Sequence, residues 1–168
     1  NNGNIYVANR NADAVQKFSP TGTLMLTIDF GCCGSFPEDI AVDSSGNIYV
    51  AHSYEVEKFS SSGNSLTIWQ HGSGKEATGV AVDSSGNIYA SIHYPGAIKK
   101  WHPSGGSTWN IEGHGTGNLE FNSPKKIALD NSGNVYVVDS GNHRIQKFDN
   151  DGNHILSFGT EGSDAGQF

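Results

Sequence analysis

Short apolar runs alternate along the whole chain with polar turns rich in Gly, Asn, Asp and Ser. Runs such as NIYVA at 47–51 do not alternate cleanly between apolar and polar residues, as a strand with one solvent-facing side would. A strand that is buried on both faces explains this pattern, because side chains on either face then contact protein. The pattern therefore predicts short strands in sheets that stack against one another.

These runs belong to an internal repeat. The nine residues AVDSSGNIY at 41–49 recur without change at 81–89, and looser copies lie on either side. A Gly-Asn pair marks each of four copies. The pairs begin at Gly3, Gly46, Gly86 and Gly133, so successive pairs are 43, 40 and 47 residues apart. A period of about 40 to 50 residues built only from short strands is typical of a β-propeller.

Each copy predicts one antiparallel sheet of four strands, a to d. Strand b follows the Gly-Asn pair, strand c contains VQKF, VEKF, IKKW or IQKF, and a second turn leads to strand d. Strand a precedes the pair in three copies, as IAVD, VAVD or IALD. In the second copy the predicted strands span 40–43, 47–51, 56–60 and 65–69. The predicted fold is all-β, a β-propeller of four-stranded antiparallel blades.

The turn between strands a and b has the sequence DSSGN in two copies. Its Asp and Ser side chains can bind nearby backbone amides, and its Gly can adopt a positive φ. We therefore expect positive φ angles at Gly46, Gly86 and Gly133 and a structural role for the identical nonapeptides.

The fourth copy, SPKKIALDNSGNVYVVDSGNHRIQKFDNDGNHILSFG at 123–159, resembles the NHL-repeat family and includes the triplet Asn142-His143-Arg144. The resemblance extends over nearly the whole chain. It implies a propeller of the kind that usually serves as a binding scaffold, while a minority of related propellers are lyases or hydrolases. The second and third copies replace the triplet with Tyr54 and with the segment His93-Tyr94-Pro95.

The repeat divides residues 1–168 into an arc of about four NHL-type blades, with fifteen strands. The first blade lacks its inner strand, and the predicted segments are blade 1 at 3–30, blade 2 at 36–70, blade 3 at 76–112, blade 4 at 123–159 and a linker at 160–168. An arc exposes two apolar blade faces and a sheet edge. We expect further blades or further copies to complete a larger ring.

The chain is acidic, with a net charge of -7. This charge argues against nucleic acid or an anionic membrane surface as a partner, and no apolar run is long enough to insert into a membrane. Most of its lysines recur at one position of the repeat and are predicted to form a structural stripe: Lys17, Lys58, Lys99, Lys100 and Lys147. Cys32 and Cys33 are adjacent and do not suggest an internal disulfide; whether they are free stays open.

The b–c and d–a connections of such a meander lie on one face of the propeller. The predicted binding residues come from the b–c loops: Arg10, His52, Tyr54, His93, Tyr94 and His143. His71, His114 and the two cysteines lie in d–a loops on the same face. This face therefore carries five of the chain's seven histidines.

The histidines raise the alternative of a metal site, because neutral imidazole is a common zinc ligand. Propeller lyases that amidate peptides hold zinc with histidines from separate blades, and this resemblance points to His52 and His93. His52 ends its strand, whereas His93 lies one position further on. The chain contains no HExxH, nucleophile elbow or P-loop, so the sequence predicts no catalytic residue and no cofactor.

Three functions follow as hypotheses. The first is a non-catalytic scaffold that presents the loop face to a protein or glycan partner. The alternative is a metal-assisted lyase or hydrolase with a histidine-lined site on the same face. The third is a structural module of a secreted or surface assembly, and we expect an extracellular or periplasmic location.

Overall fold

The computed structural model describes residues 3–31, 34–53, 55–72 and 74–168. In these residues, fifteen strands form one three-stranded and three four-stranded sheets. They are β1 (Ile5–Asn9), β2 (Ala14–Phe18) and β3 (Leu24–Asp29); β4 (Asp39–Val42), β5 (Ile48–His52), β6 (Glu55–Phe59) and β7 (Ser65–Gln70); β8 (Ala77–Val82), β9 (Ile88–Ile92), β10 (Ala97–Trp101) and β11 (Ser107–Glu112); and β12 (Pro124–Leu129), β13 (Val135–Asp139), β14 (Arg144–Phe148) and β15 (His154–Phe158).

Each sheet is an antiparallel meander in chain order, so the predicted all-β propeller architecture is confirmed. The four strands of the second sheet lie within one residue of their predicted boundaries. Within the described ranges, two 3₁₀ helices of three residues each, Arg10–Ala12 and Ser140–Asn142, follow β1 and β13. Neither helix approaches the length or apolarity that a membrane crossing would require.

The hydrophobic core of the part of the chain that the structure describes consists of three clusters, one at each junction between consecutive sheets. Val15 and Ile28 of the first sheet pack against Val50 and its neighbours in the second. The second junction includes Trp69, and the third includes Phe148. Strands β5 and β9 are buried along their whole length because sheets cover both of their faces. This double coverage explains the unbroken apolar runs in the sequence.

The turn between strands a and b has the same structure in three blades, as DSSGN in the second and third and as DNSGN in the fourth. Asp43 accepts hydrogen bonds from the backbone amides of Ser45 and Asn47 and from the hydroxyl of Tyr49. The φ angles of Gly46, Gly86 and Gly133 are 80°, 83° and 81°, which confirms the predicted positive φ. The backbone of this turn therefore requires a residue that tolerates a positive φ, and the requirement recurs in three blades.

The lysine stripe is structural at four of its five positions. The ammonium groups of these four lysines lie over tyrosine rings of the neighbouring strand b, at 5.0–5.7 Å from the ring centroids: Lys17, Lys58, Lys100 and Lys147. Lys99 does not belong to the stripe. It points to the other face of β10 and donates a hydrogen bond to the carbonyl of His71 at 3.3 Å.

The b–c loops and the linkers between sheets hydrogen-bond to each other and so form one surface. The amide of Ser53 donates to the carbonyl of Ser35, that of His93 to Glu76 and that of Gly141 to Asn122, each at 2.8 Å. We call this surface the loop face; it comprises segments 10–13, 34–38, 74–76, 93–96, 113–123 and 140–143, with His52, Ser53 and His71.

Candidate functional site on the loop face

Arg10 connects the linkers that precede the second and third sheets. Its guanidinium lies 2.7 Å from the carboxylate of Glu38 and 3.6 Å from that of Glu76. The same guanidinium lies over the ring of Phe36, 5.4 Å from the centroid. Arg10 thus orders two linkers and, because its side chain is more than half exposed, is still accessible from solvent.

Three large apolar or aromatic side chains of the loop face are exposed, and Phe36 among them lies against Arg10. Tyr94 is 68% exposed and Phe36 is 42% exposed, and Leu119 is also exposed. The predicted binding residue Tyr54 and the two cysteines, Cys32 and Cys33, lie outside the described residues.

His143 has a backbone-bonded imidazole, which fits its place in the NHL triplet. Its Nδ1 lies 3.0 Å from the carbonyl oxygen of Phe168 and donates to it in the Nδ1–H tautomer. The residue has a φ of 51° and ends the short helix Ser140–Asn142. His143 therefore helps to hold the segment after the fourth sheet.

The two other residues of the triplet belong to a polar network around Asp139, which is fully buried. The Asp139 carboxylate accepts hydrogen bonds from Arg144 Nε and Asn142 Nδ2, both at 2.8 Å, and from Gln146 Nε2 at 3.1 Å. Arg144 also donates to the carbonyls of Thr116, Gly117 and Glu120. The guanidinium neutralises the buried carboxylate and fixes the linker before the fourth sheet.

The second sheet carries different residues at the same three positions. Asp139 is paired across the strands with Arg144, and Gln146 follows two residues later on the same face. In the second sheet His52 is paired with Glu55, and Glu57 follows two residues later. An aspartate, an arginine and a glutamine are thus replaced by a histidine and two glutamates.

These three side chains converge. His52 Nε2 lies 3.9 Å from Glu55 Oε1 and 3.8 Å from Glu57 Oε2, and one potential ligand atom of each residue lies within 4.8 Å of the other two. The imidazole is 4% exposed and packs against the ring of Phe30, with 5.1 Å between the centroids. The hydroxyl of Ser65 donates to the other oxygen of Glu57.

The electrostatics of this cluster are unbalanced. Burial lowers the pKa of His52 to about 4, although the charge of Asp13 opposes the shift, so the imidazole is neutral at pH 7. Burial and then repulsion from Glu57 raise the pKa of Glu55. Among the described residues, no Lys or Arg nitrogen lies within 4.0 Å of the carboxylate of Glu55 or of Glu57.

His71 is a second buried histidine close to His52, with 2% exposure. Burial, followed by repulsion from Lys99, lowers its pKa to about 4. Neither of its ring nitrogens, nor either of those of His52, has a hydrogen-bond partner among the described residues. His71 is not one of the three converging residues.

The potential ligands therefore differ from the pair that the sequence suggested. His52 is among them, but His93 is not; its backbone amide donates to the carbonyl of Glu76, in the linker before the third sheet. Glu55 and Glu57 were missed because Glu57 falls in VEKF, a segment that resembles the structural strand c of every copy, and Glu55 directly precedes it. Aligning that segment with IQKF in the fourth copy gives a signal, since Glu57 then matches Gln146.

Comparisons with known proteins agree with this architecture. An NHL repeat model matches residues 121–148, and a strictosidine synthase-like N-terminal model matches residues 25–53. No curated protein matches the chain in sequence.

Several solved structures share the fold. A streptogramin B lyase matches 93% of the chain with a TM-score of 0.79 and 15% identity. A catalytically inactive virginiamycin B lyase from Staphylococcus aureus, solved with quinupristin, matches 93% with a TM-score of 0.77 and 13% identity. A protein of unknown function from Bacteroides caccae matches 95% with a TM-score of 0.74 and 16% identity.

These matches cover only 51%, 52% and 59% of the respective neighbours, so the chain spans about half the length of the lyases. At such identities they show a shared fold. The blade topology and the shared fold show a β-propeller that contains an NHL repeat at residues 121–148.

Proposed function

We propose that the chain is a non-catalytic binding scaffold that presents its loop face to a protein or glycan partner. The observation that carries this proposal is the exposure on the loop face of Tyr94 and of Phe36, whose ring lies against the accessible guanidinium of Arg10. Tyrosine and arginine are enriched at binding hot spots, and aromatic rings suit both protein side chains and the apolar faces of sugars.

The geometry of the loops supports a binding role. Asp13 accepts hydrogen bonds from the amides of Ser35, at 3.1 Å, and Phe36, at 2.7 Å, so its carboxylate orders the linker that carries Phe36. Arg10 and Arg144 hold three linkers between them through ion pairs and carbonyl contacts. Loops that are ordered before binding lose less conformational entropy when a partner binds.

A photo-crosslinking amino acid at position 94 tests the proposal in the protein's native setting. Leu66 is the matched control, because it is exposed on β7 away from the loop face. We expect a partner to crosslink at position 94 and not at position 66. With that partner purified, Tyr94→Ala should weaken binding about tenfold and Leu66→Ala should leave it unchanged. Equal crosslinking at both positions, or an unchanged Kd for Tyr94→Ala, would contradict the proposal.

Separate measurements identify the class of partner and test the enzymatic alternative. Binding of a glycan array, lost in Tyr94→Ala, would assign the partner as a sugar, whereas protein crosslinks alone would assign a protein. Turnover of a streptogramin B substrate by the purified chain, abolished in His52→Gln, would favour the metal-assisted lyase over the scaffold.

A further inference from the structure

We propose that His52, Glu55 and Glu57 bind one divalent transition-metal ion at the junction of the first and second sheets. The site takes an ion that accepts both imidazole and carboxylate ligands, and Zn²⁺ is the suitable probe. This inference is independent of partner binding on the loop face.

The internal comparison between blades is the first argument. In the fourth sheet the position opposite Asp139 holds Arg144, whose Nε lies 2.8 Å from the carboxylate and supplies the positive charge. In the second sheet the equivalent position holds Glu55, and the neighbouring position on the same face holds Glu57. At these equivalent positions the fourth sheet has one carboxylate and one cationic side chain, whereas the second sheet has two carboxylates and no cationic side chain. A bound cation would restore the balance that the fourth sheet achieves with its own residues.

The geometry is the second argument. Zinc binds imidazole nitrogen and carboxylate oxygen at about 2.0 to 2.2 Å, so two ligands at a tetrahedral angle lie roughly 3.4 Å apart. The separations from His52 Nε2 to the oxygens of Glu55 and Glu57 are 3.9 Å and 3.8 Å. All three potential ligand atoms lie within 4.8 Å of one another, so side-chain movements of about 1 Å or less would bring them within bonding distance of one ion. Three protein ligands leave the remaining coordination positions for water.

The state of the imidazole is the third argument. His52 is almost completely buried, and among the described residues neither ring nitrogen has a hydrogen-bond partner. A buried polar atom without a partner costs free energy, and native structures rarely tolerate one without a function. Its Nε2 faces the two carboxylates, and Phe30 packs against the ring and restricts its rotation. A metal ion at this point provides the missing partner.

Calorimetric titration of Zn²⁺ into chelator-treated protein tests the proposal. We expect one strong site per chain. Glu57→Gln preserves the size of the side chain and the contact with Ser65 but removes the charge, and it should weaken binding at least about tenfold. Glu112→Gln is the matched control, since this glutamate is exposed and paired with Lys75, and it should bind like the unmodified chain.

Two further variants keep the test decisive. His102→Gln removes an exposed histidine outside the site and should leave the single strong site intact, which separates this site from binding by surface histidines. Glu55→Gln should weaken binding as Glu57→Gln does. If a variant fails to fold, the Zn²⁺-dependent rise in the melting temperature of the unmodified chain still reports the site. No strong Zn²⁺ site in the unmodified chain, or unchanged affinity in both glutamine variants, would overturn the proposal.

Discussion

One turn position holds glycine in all three four-stranded blades because the backbone there has a positive φ. These glycines are Gly46, Gly86 and Gly133. All three have φ near 80° in a turn where the preceding Asp accepts backbone hydrogen bonds. A side chain at such an angle strains the backbone even where space is available. The recurrence of these glycines follows from the turn and requires no ligand.

Gly133→Ala should therefore lower the free energy of unfolding by about 1–2 kcal/mol. The new Cβ would meet only Asn150 atoms at 3.6 Å or more, so backbone strain is the main expected cause. Gly106→Ala is the control, because Gly106 is exposed, has no positive φ and would place its new Cβ more than 4 Å from any neighbouring atom. Denaturant unfolding should show a much smaller change for the control, and equal changes would contradict the argument.

His71 should make stability depend on pH in the metal-free protein. Its pKa is about 4 in the folded chain, below the value of about 6.5 for an unfolded histidine. Below pH 6.5 the unfolded chain thus binds more protons, and stability falls as the pH is lowered towards 4. His71→Gln should flatten this part of the curve and leave the slope above pH 7 unchanged. Parallel curves for both proteins between pH 6.5 and 4 would show that the pKa of His71 is not depressed.

Residues that repeat could be predicted from the sequence, and residues that depart from the repeat could not. The positive φ angles and the tyrosine-bound lysines are visible because each pattern recurs in several copies. The contact between His52 and Glu57 depends on cross-strand register, on the missing cation and on a shorter b–c loop. The sequence places Lys99 in the stripe because it is adjacent to Lys100, but adjacent strand residues point to opposite faces.

At the scale of the element, hydrogen bonds to the buried carboxylate of Asp139 order part of the fourth blade. Asp139 contacts the b–c loop, strand β14 and the amide of Asn122, which donates to it at 2.7 Å. Arg144 continues the network to the linker at 116–120. Asn142 and Arg144 of the triplet therefore attach the linker before the fourth sheet to its blade.

Asp139→Ala should destabilise the protein by about 3–5 kcal/mol, since it leaves the guanidinium of Arg144 in a partly buried site without its carboxylate. Lys126→Met is the comparison, because it removes an ion pair with Asp39 in which the lysine is more than half exposed. That change should cost about 1 kcal/mol or less. Thermal unfolding measures both, and similar losses would mean that the network does not stabilise the blade.

At the scale of the whole molecule, the two end sheets expose apolar side chains. Ile5 and Val7 lie on the outer face of the first sheet, and Leu156 and Phe158 lie on the outer face of the fourth. Faces of this kind in the other sheets are covered by a neighbouring sheet. We propose that further blades or a second copy cover them.

The purified 168-residue chain should therefore associate in solution. Phe158→Lys places a charge on an end face and should shift the distribution towards the monomer, whereas Leu66→Lys, at an exposed position of β7 inside the arc, should not. Sedimentation over a range of concentrations measures the effect. A species of 17.9 kDa at every concentration would exclude association of this chain.

An anomalous-scattering map of crystals soaked in Zn²⁺ would locate the ion and thus test whether the second blade binds a metal where the fourth blade has Arg144. The predicted result is one strong peak bonded to His52, Glu55 and Glu57, with no ion at the equivalent position beside Arg144. A map without a peak at this position, or with its strongest peak at His93 or another surface histidine, would contradict the assignment.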